Sequence, residues 1–391
     1  MNIETLNTQA KEDFKTIGFP TNKHENWLYW TPDTIQETLL NAYSEPQESI
    51  LNSDDIVIKN GSIVSAPERS GLSVSYDVAS LANEDLSFNV ESSSISLLNS
   101  AQCQQVVIIK CNKKLIDALN VRIETNPSQS NVTVNTKIIV IAEADTAMNL
   151  TFFHQHHGNI SNISNTTCEF IIKKQAQLDV NHVFKNQKAH SFFHSILHLY
   201  EKSKCQHLTF VSESTLMRHD TQANFYEEDA HLDLKGMGIL QDQDKFFNHL
   251  KINHFSKNCF CKQHFKSILT QDAISEFSGL VYVAKGSHGV DSQQLNQNLL
   301  FSDSARVLSR PQLKIDADDV QCAHGSTIGQ LNPEEIHYIK SRGLTEQEAK
   351  SLLTFGFAEE IINEISHDTV KKELTSVVKQ IIGSLKVTDE K

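Results

Sequence analysis

The stretch from Val121 to Phe153 reads VRIETNPSQSNVTVNTKIIVIAEADTAMNLTFF. Val121 and Ile123 alternate with polar residues, and Val132 and Val134 repeat the alternation. Lys137 to Ala142 is mostly apolar, and Leu150 to Phe153 resumes after another polar turn. A period of two belongs to a strand, whose side chains point alternately to opposite faces. The signature extends in both directions. Leu86, Phe88 and Val90 alternate upstream, and Val106 to Ile109 is a short apolar run. Downstream come Phe170 to Ile172, Leu208 to Val211, and Asn224 to Tyr226 leading into Leu232 and Leu234 before Gly236 and Gly238. Residues 55–315 therefore read as an all-β core.

A sandwich or barrel deals with its edge strands by pairing or closure, whereas a β-helix stacks each coil on the next and needs caps at its ends. The number of short strands exceeds what one sandwich needs, and helical termini would serve as caps. No clean hexapeptide or nonapeptide period is present, so the pattern alone leaves the architecture open.

Residues 1–54 read as a helical arm. Thr8 to Ile17 is polar and helical, Gly18-Phe19-Pro20 punctuates it, and Trp27, Tyr29 and Trp30 form an aromatic cluster. Asp33 to Tyr43 brings Ile35, Leu39 and Leu40 to one helical side. Residues 316–391 return to a helical period. Asn332-Pro333-Glu334-Glu335 has the form of a cap, a first-turn proline and a following glutamate, and Gly343 is placed to stop that helix. Thr345 and Glu348 repeat the capping pattern, with Phe355-Gly356-Phe357 as an expected bend. Val370, Leu374, Val377, Ile381 and Leu385 recur at helical spacing over residues 368–385.

The 391 residues are 39% hydrophobic and 21% charged, with a formal net charge of -13, a balance that suits a globular chain and disfavours nonspecific attraction to nucleic acid or anionic membrane. The polar start Met1-Asn2-Ile3-Glu4 lacks the pattern of an export leader, and no apolar run is long enough to cross a bilayer. Seven cysteines without a regular framework read as reduced thiols, and a cytoplasmic location is expected.

Several clusters have metal-binding chemistry. His154 and His156 would share one strand face with His157 opposite, and His190, His194 and His198 have four-residue spacing. Cys259 and Cys261 would share a face but lack the second pair of a zinc site. Glu227-Glu228-Asp229 reads as a solvated turn rather than a cation loop. No phosphate loop, dinucleotide fingerprint, nucleophile elbow or zinc-protease helix is found, which weakens enzyme assignments. A carbohydrate-active β-helix enzyme and a homo-oligomeric structural protein remain as alternatives.

The most specific segment is Asn298-Leu299-Leu300, then Arg310-Pro311-Gln312-Leu313-Lys314-Ile315, then Asp318 to Leu331 (DDVQCAHGSTIGQL), and Tyr338-Ile339-Lys340-Ser341-Arg342-Gly343. Together these resemble the carboxy-terminal signature of the SufB/SufD family, as Gly18-Phe19-Pro20 and Trp27-Leu28-Tyr29 resemble its amino-terminal part. His324-Gly325, where the SufB branch has histidine followed by glutamate, is similar to the SufD branch. The resemblance implies a right-handed parallel β-helix flanked by helical segments. It also implies a non-catalytic partner, with a SufB-like scaffold and a SufC-like ATPase, in iron-sulfur cluster assembly and iron acquisition. By that comparison His324, and with it Cys322, would bind iron or a nascent cluster transiently at the SufB interface, with no cofactor held tightly by the isolated chain. Leu352, Leu353, Phe355, Phe357, Ile361 and Ile362 would face the ATPase. Reduced flavin in the assembled complex, and self-association when SufB is missing, are further expectations that come from the resemblance alone.

Overall fold

In the computed structural model, which describes residues 3–45, 47, 53–81, 93–185, 189–365 and 368–384, the period-two segments pair with segments one coil away rather than with their neighbours in sequence. The first strands are β1 (Ile56–Lys59), β2 (Ser62–Ser65), β3 (Leu72–Ser75), β4 (Val106–Cys111) and β5 (Leu119–Thr125). The regular coils follow as β6 (Thr133–Ala142), β7 (Ala147–His156), β8 (Ile163–Ile172), β9 (Gln177–Lys185), β10 (His190–Leu199), β11 (Lys204–Ser212) and β12 (Leu216–Phe225). They continue as β13 (His231–Leu240), β14 (Lys245–His254), β15 (Phe260–Leu269), β16 (Ile274–Val283), β17 (Asp291–Leu300), β18 (Arg306–Ile315) and β19 (Gln321–Gly329). Odd-numbered strands from β5 to β19, with β1 and β2, make a ten-stranded sheet; even-numbered strands from β4 to β18, with β3, make a nine-stranded one. Among the described residues, only the pairs β1–β2 and β3–β4 are antiparallel. The result is a parallel β-solenoid of about eight turns.

Two sequence expectations change, and a third is not reached. The coils do not end at 315, because β19 pairs in register with β17 and carries the solenoid to Gly329. Val134 and the run Lys137 to Ala142 are one strand, β6. Leu86, Phe88 and Val90 lie outside the described residues.

Alternate side chains of each strand fill the space between the two sheets. Leu150, Phe152, Leu178 and Val180 come from the odd sheet, and Phe170, Phe193, Met217 and Ile252 from the even one, all buried in one cluster. Histidines are lodged among them. His154 stacks on Phe184 with ring centres 3.8 Å apart, and its Nε2 lies 3.1 Å from Nδ1 of His182. Ser195 Oγ is 3.3 Å from Nε2 of both His207 and His219.

One corner repeats at nearly every coil. Asp145, Gln175, Lys202, Asp229, Asn258 and Asp319 all have φ between 55° and 62°, a left-handed backbone that costs a non-glycine residue roughly 1–2 kcal/mol. The cost is offset across the coils. The N–H of Asp145 donates to the Lys174 carbonyl, Gln175 to Glu201, Lys202 to Glu228, Asp229 to Lys257 and Asn258 to His288, at 2.8–3.2 Å. A small buried residue follows the first five corners: Thr146, Ala176, Ser203, Ala230 and Cys259.

Helices cover the outer faces. α1 (Ile3–Ile17) packs on α3 (Ser94–Gln102), which lies against β6 and β8 of the even sheet. The intervening α2 (Gln36–Leu40) has only five residues; it buries Leu39 but leaves Leu40 52% exposed, so the two leucines do not share a face. After β19, Asn332 caps α4 (Pro333–Ser341) by accepting the Glu334 N–H, and Gly343 follows with φ 99°. Thr345 and Glu348 form a complete capping box for α5 (Glu346–Asn363), which runs unbroken through Gly356 where a bend was expected. α5 and α6 (Asp368–Ser384) press Ala358, Ile361, Ile362, Val370, Leu374 and Val378 onto Leu208, Phe210, Met237, Ile239 and Ile268 of the odd sheet.

Burial holds His154 and His254 at about 3, and His194 and His207 at about 4, against an ordinary 6.5. The unfolded chain therefore binds protons at these sites that the native chain refuses. Stability is complete above about pH 6.5 and falls as the pH drops toward 4, by about 1.4 kcal/mol per pH unit for each histidine. Urea midpoints measured from pH 7.5 to 5 should decline steeply below 6.5; a flat profile would mean that these rings are not held neutral.

Candidate functional site

Among the described residues, no further coil stacks on the last one. β19 and β18 stand at the ends of their sheets, and among the described residues no strand pairs with their outer edges. Alternation continues the interior columns onto this end. Cys261 is followed in register by Ser292 and then Cys322, and Gln263 by Gln294 and then His324. Cys322 is half-buried against the interior cluster, whereas His324 is exposed. Both lie in a shallow depression of about 490 Å³ whose lining includes Asp291, Gln294, Leu295 and Gly325.

The extended backbone of β19 puts Cys322 and His324 on one side, about 7 Å apart along the strand. That arrangement offers one sulfur and one imidazole toward a surface that is open to another chain. Burial pushes the Cys322 thiol up, helped by the charge of Asp291 and opposed by a hydrogen bond from the Ser292 backbone. Gly325 does not answer a steric need inside the chain, because an added Cβ would meet only Leu295 Cδ1 at an ordinary 3.4 Å.

The other candidate clusters fall apart as metal sites. His154 is interior, His156 bonds the Asn159 carbonyl and His157 is exposed. His190, His194 and His198 share the outer face of β10, but successive rings are spaced about 13 Å along the strand. His194 adjoins Asp220 at 3.5 Å, and His198 bonds Glu169 at 3.0 Å. Cys259 fills a corner position and Cys261 an interior one, and burial raises both thiols, Cys259 to about 11. Glu227, Glu228 and Asp229 form an exposed turn. Among the described residues no three His, Cys, Asp or Glu side chains gather as a metal would need.

The hydrophobic set on α5 divides. Ile361 and Ile362 are 1% and 2% exposed and belong to the packing on the odd sheet, so they are not available to a partner. Phe355 and Phe357 are half-buried against the same cluster, and the Phe357 carbonyl accepts from Lys266 Nζ at 2.9 Å. Leu353 is half-buried, and Leu352 remains 53% exposed.

A second polar cluster escaped sequence reading. Residues 17–27 of the arm cross the outer face of the even sheet over a cavity of about 420 Å³. Arg218 on β12 sits 3.5 Å from the Trp27 ring centre, donates to the Asn26 carbonyl at 2.9 Å and pairs with Asp220. Burial would raise the Asp220 carboxyl, but Arg218, followed by His194 and His249, holds it at about 2. On β18, Arg310 donates to the Glu25 carbonyl and Gln312 to its carboxylate, each at 3.0 Å. These residues come from the arm and from strands up to three coils apart, so no local motif announces them.

A family model described as "SUF system FeS cluster assembly, SufBD core domain" matches residues 123–357, more than half of the chain. The chain is 25% identical to the iron-sulfur cluster assembly protein SufD of Escherichia coli, over 95% of this chain and 92% of that protein. It is 27% identical to an iron-sulfur cluster assembly SufBD family protein of Synechocystis, over 70% of this chain and 62% of that protein. Similarity to SufD of Bacillus subtilis, 28% identical, covers 44% of this chain and 37% of that one.

Six of the seven cysteines are buried and Cys322 is partly accessible. A small alkylating reagent should therefore modify Cys322 alone in the folded chain and all seven after unfolding. With the thiol raised, the rate at Cys322 should climb about tenfold per pH unit between pH 7 and 8.5. Modification of Cys261 at a comparable rate would contradict the interior packing.

Proposed function

We propose, from the premise that this chain belongs to the SufB/SufD family of SUF-system iron-sulfur cluster assembly proteins, that it is a non-catalytic scaffold subunit working in the cytoplasm as part of a SufB-SufC-SufD type of complex. Its open coil end joins a homologous SufB-like chain, and its carboxy-terminal helices engage a SufC-like ATPase. Iron or a nascent cluster is cargo at the first of these contacts, which gives the complex a place to acquire and retain iron.

The observation that carries the reading is the unpaired end of the solenoid. Two strands of nine and ten residues present free edges there, and a free edge is a template for pairing with another chain. Cys322 and His324 lie on that edge, with ligand chemistry suited to iron and iron-sulfur species. Two residues are too few to hold a metal ion alone, so the site is completed by the partner. The same edge accounts for self-association when the SufB-like chain is missing. For the ATPase, the exposed Leu352 with the flanking Leu353 is what remains of the α5 surface once Ile361 and Ile362 are committed to the core.

Anaerobic co-expression with SufB-like and SufC-like chains tests this. At equal amounts of assembled complex, His324→Ala should lower iron, acid-labile sulfide and cluster transfer by about tenfold, the usual scale for losing a ligand or its support, with the subunit ratio unchanged. Normal values in all three would remove His324 from the site. Leu352→Glu should reduce recovery of the ATPase while leaving the SufB-like chain bound; full recovery would place the ATPase contact elsewhere.

A further inference from the structure

We propose that Gln294 is a positioning residue for His324: its side-chain carbonyl, buried without a partner one rung below, accepts one imidazole N–H when the exposed ring turns toward it, which leaves the other ring nitrogen, with its lone pair, facing the open end. The proposal rests on the reading of His324 given above, but the geometry behind it is independent of any partner.

Gln263, Gln294 and His324 occupy one interior column on β15, β17 and β19. Strands lie about 4.8 Å apart, so side chains in register on the same face stack as a ladder, as glutamines and asparagines do in other stacked sheets. Gln263 and Gln294 are 1% and 2% exposed. Gln294 Nε2 donates to Gln263 Oε1 at 2.7 Å. With its nitrogen committed to β15, the amide keeps its oxygen buried without a partner. A buried acceptor left unmatched is costly, and the neighbouring rung supplies a donor. The imidazole of His324 has no hydrogen-bonding partner among the described residues.

The opposite sheet is shaped around the same amide. Gly279 on β16 faces it, and a Cβ there would come within 2.2 Å of Gln294 Nε2 and 3.0 Å of Oε1. Gly279 thus leaves room for the amide, Gln263 sets its direction, and Gln294 passes that direction to the exposed ring. An acceptor on one ring nitrogen selects the tautomer and increases the donor strength of the other. A sequence reading that stops at Cys322 and His324 misses this support, because Gln294 lies a whole coil earlier.

The test uses ring-nitrogen NMR shifts of the isolated full chain at pH 8, with the His324 signals assigned by their loss in His324→Ala. The wild type should hold one tautomer. Gln294→Met, which keeps the volume and removes the amide, should give a mixture of both. Gly279→Ala should give the same mixture by displacing the amide without touching the histidine. Gln294→Glu should restore a single tautomer, since a carboxylate accepts the same proton. An unchanged tautomer ratio in both Gln294→Met and Gly279→Ala, or a mixture already present in the wild type, overturns the proposal. Normal cluster formation by His324→Ala would instead overturn the reading of the site and leave the tautomer result standing.

Discussion

Parallel hydrogen bonding between successive coils is the constraint from which the other features follow. Each strand needs a neighbour on both sides, so the ladder cannot close on itself and must stop somewhere. At the amino-terminal end the stop is built in, because β2 and β3 turn back as antiparallel strands. At the other end β18 and β19 carry ordinary parallel pairing on one side and none on the other. His324 is thereby exposed on a column whose earlier members are buried. The interior also changes along its length. Phe152, Phe170 and Phe193 fill the early coils, whereas Gln263, Ser292, Gln294, Asn296 and Asn298 fill the late ones. The polar groups bond one another, with Asn298 donating to Asn296 at 2.7 Å and Ser309 donating to Asn296 at 2.8 Å.

The two outer faces are secured by different means. On the odd sheet, α5 and α6 bury aliphatic residues. The carbonyls at 357 and 364 accept from Lys266 and Lys235 at 2.9 and 3.1 Å, the second at the helix end where a cation is favourable. On the even sheet, the arm is held by the stacking of Trp30 on Phe247 at 6.0 Å and by the Arg218 guanidinium over Trp27, contacts of about 0.5–2 kcal/mol each. Arg218 is buried and satisfied on several sides, so its loss would also leave Asp220 without its nearest charge.

Strand content, the helical ends and the caps at Asn332 and Thr345 were legible because each depends on residues a few positions apart. The coil was not. Its repeat runs from about 26 residues, where His190 pairs with Leu216, to about 32, where Ile274 pairs with Arg306, so no fixed period accumulates. The corner does leave a trace in sequence: a turn residue followed by a small one, as in Gln175-Ala176, Lys202-Ser203 and Asp229-Ala230. Lysine and glutamine at such corners hide it, since asparagine, aspartate and glycine are the usual occupants. In the candidate site, Cys322 and His324 stand two residues apart and are read together, whereas Gln294 comes beside them only through register and Gly279 only across the interior. The resemblance assigns Ile361 and Ile362 to a partner, while helical periodicity identifies an apolar stripe without saying which surface covers it; here the chain's own sheet does.

The arm also carries a consequence for how the chain is made. Glu25 and Asn26 leave the ribosome early, yet the side chains that receive them include Arg310 and Gln312, some 285 residues later. Trp27 can settle on Arg218 once β12 exists, but the crossing is complete only when the penultimate strand has been laid down. A chain that stops before β18 lacks these last contacts of the arm, while one that includes it has its first segment tied to the last coil. The strap thus joins an early part of the polypeptide to the coil that carries the open end.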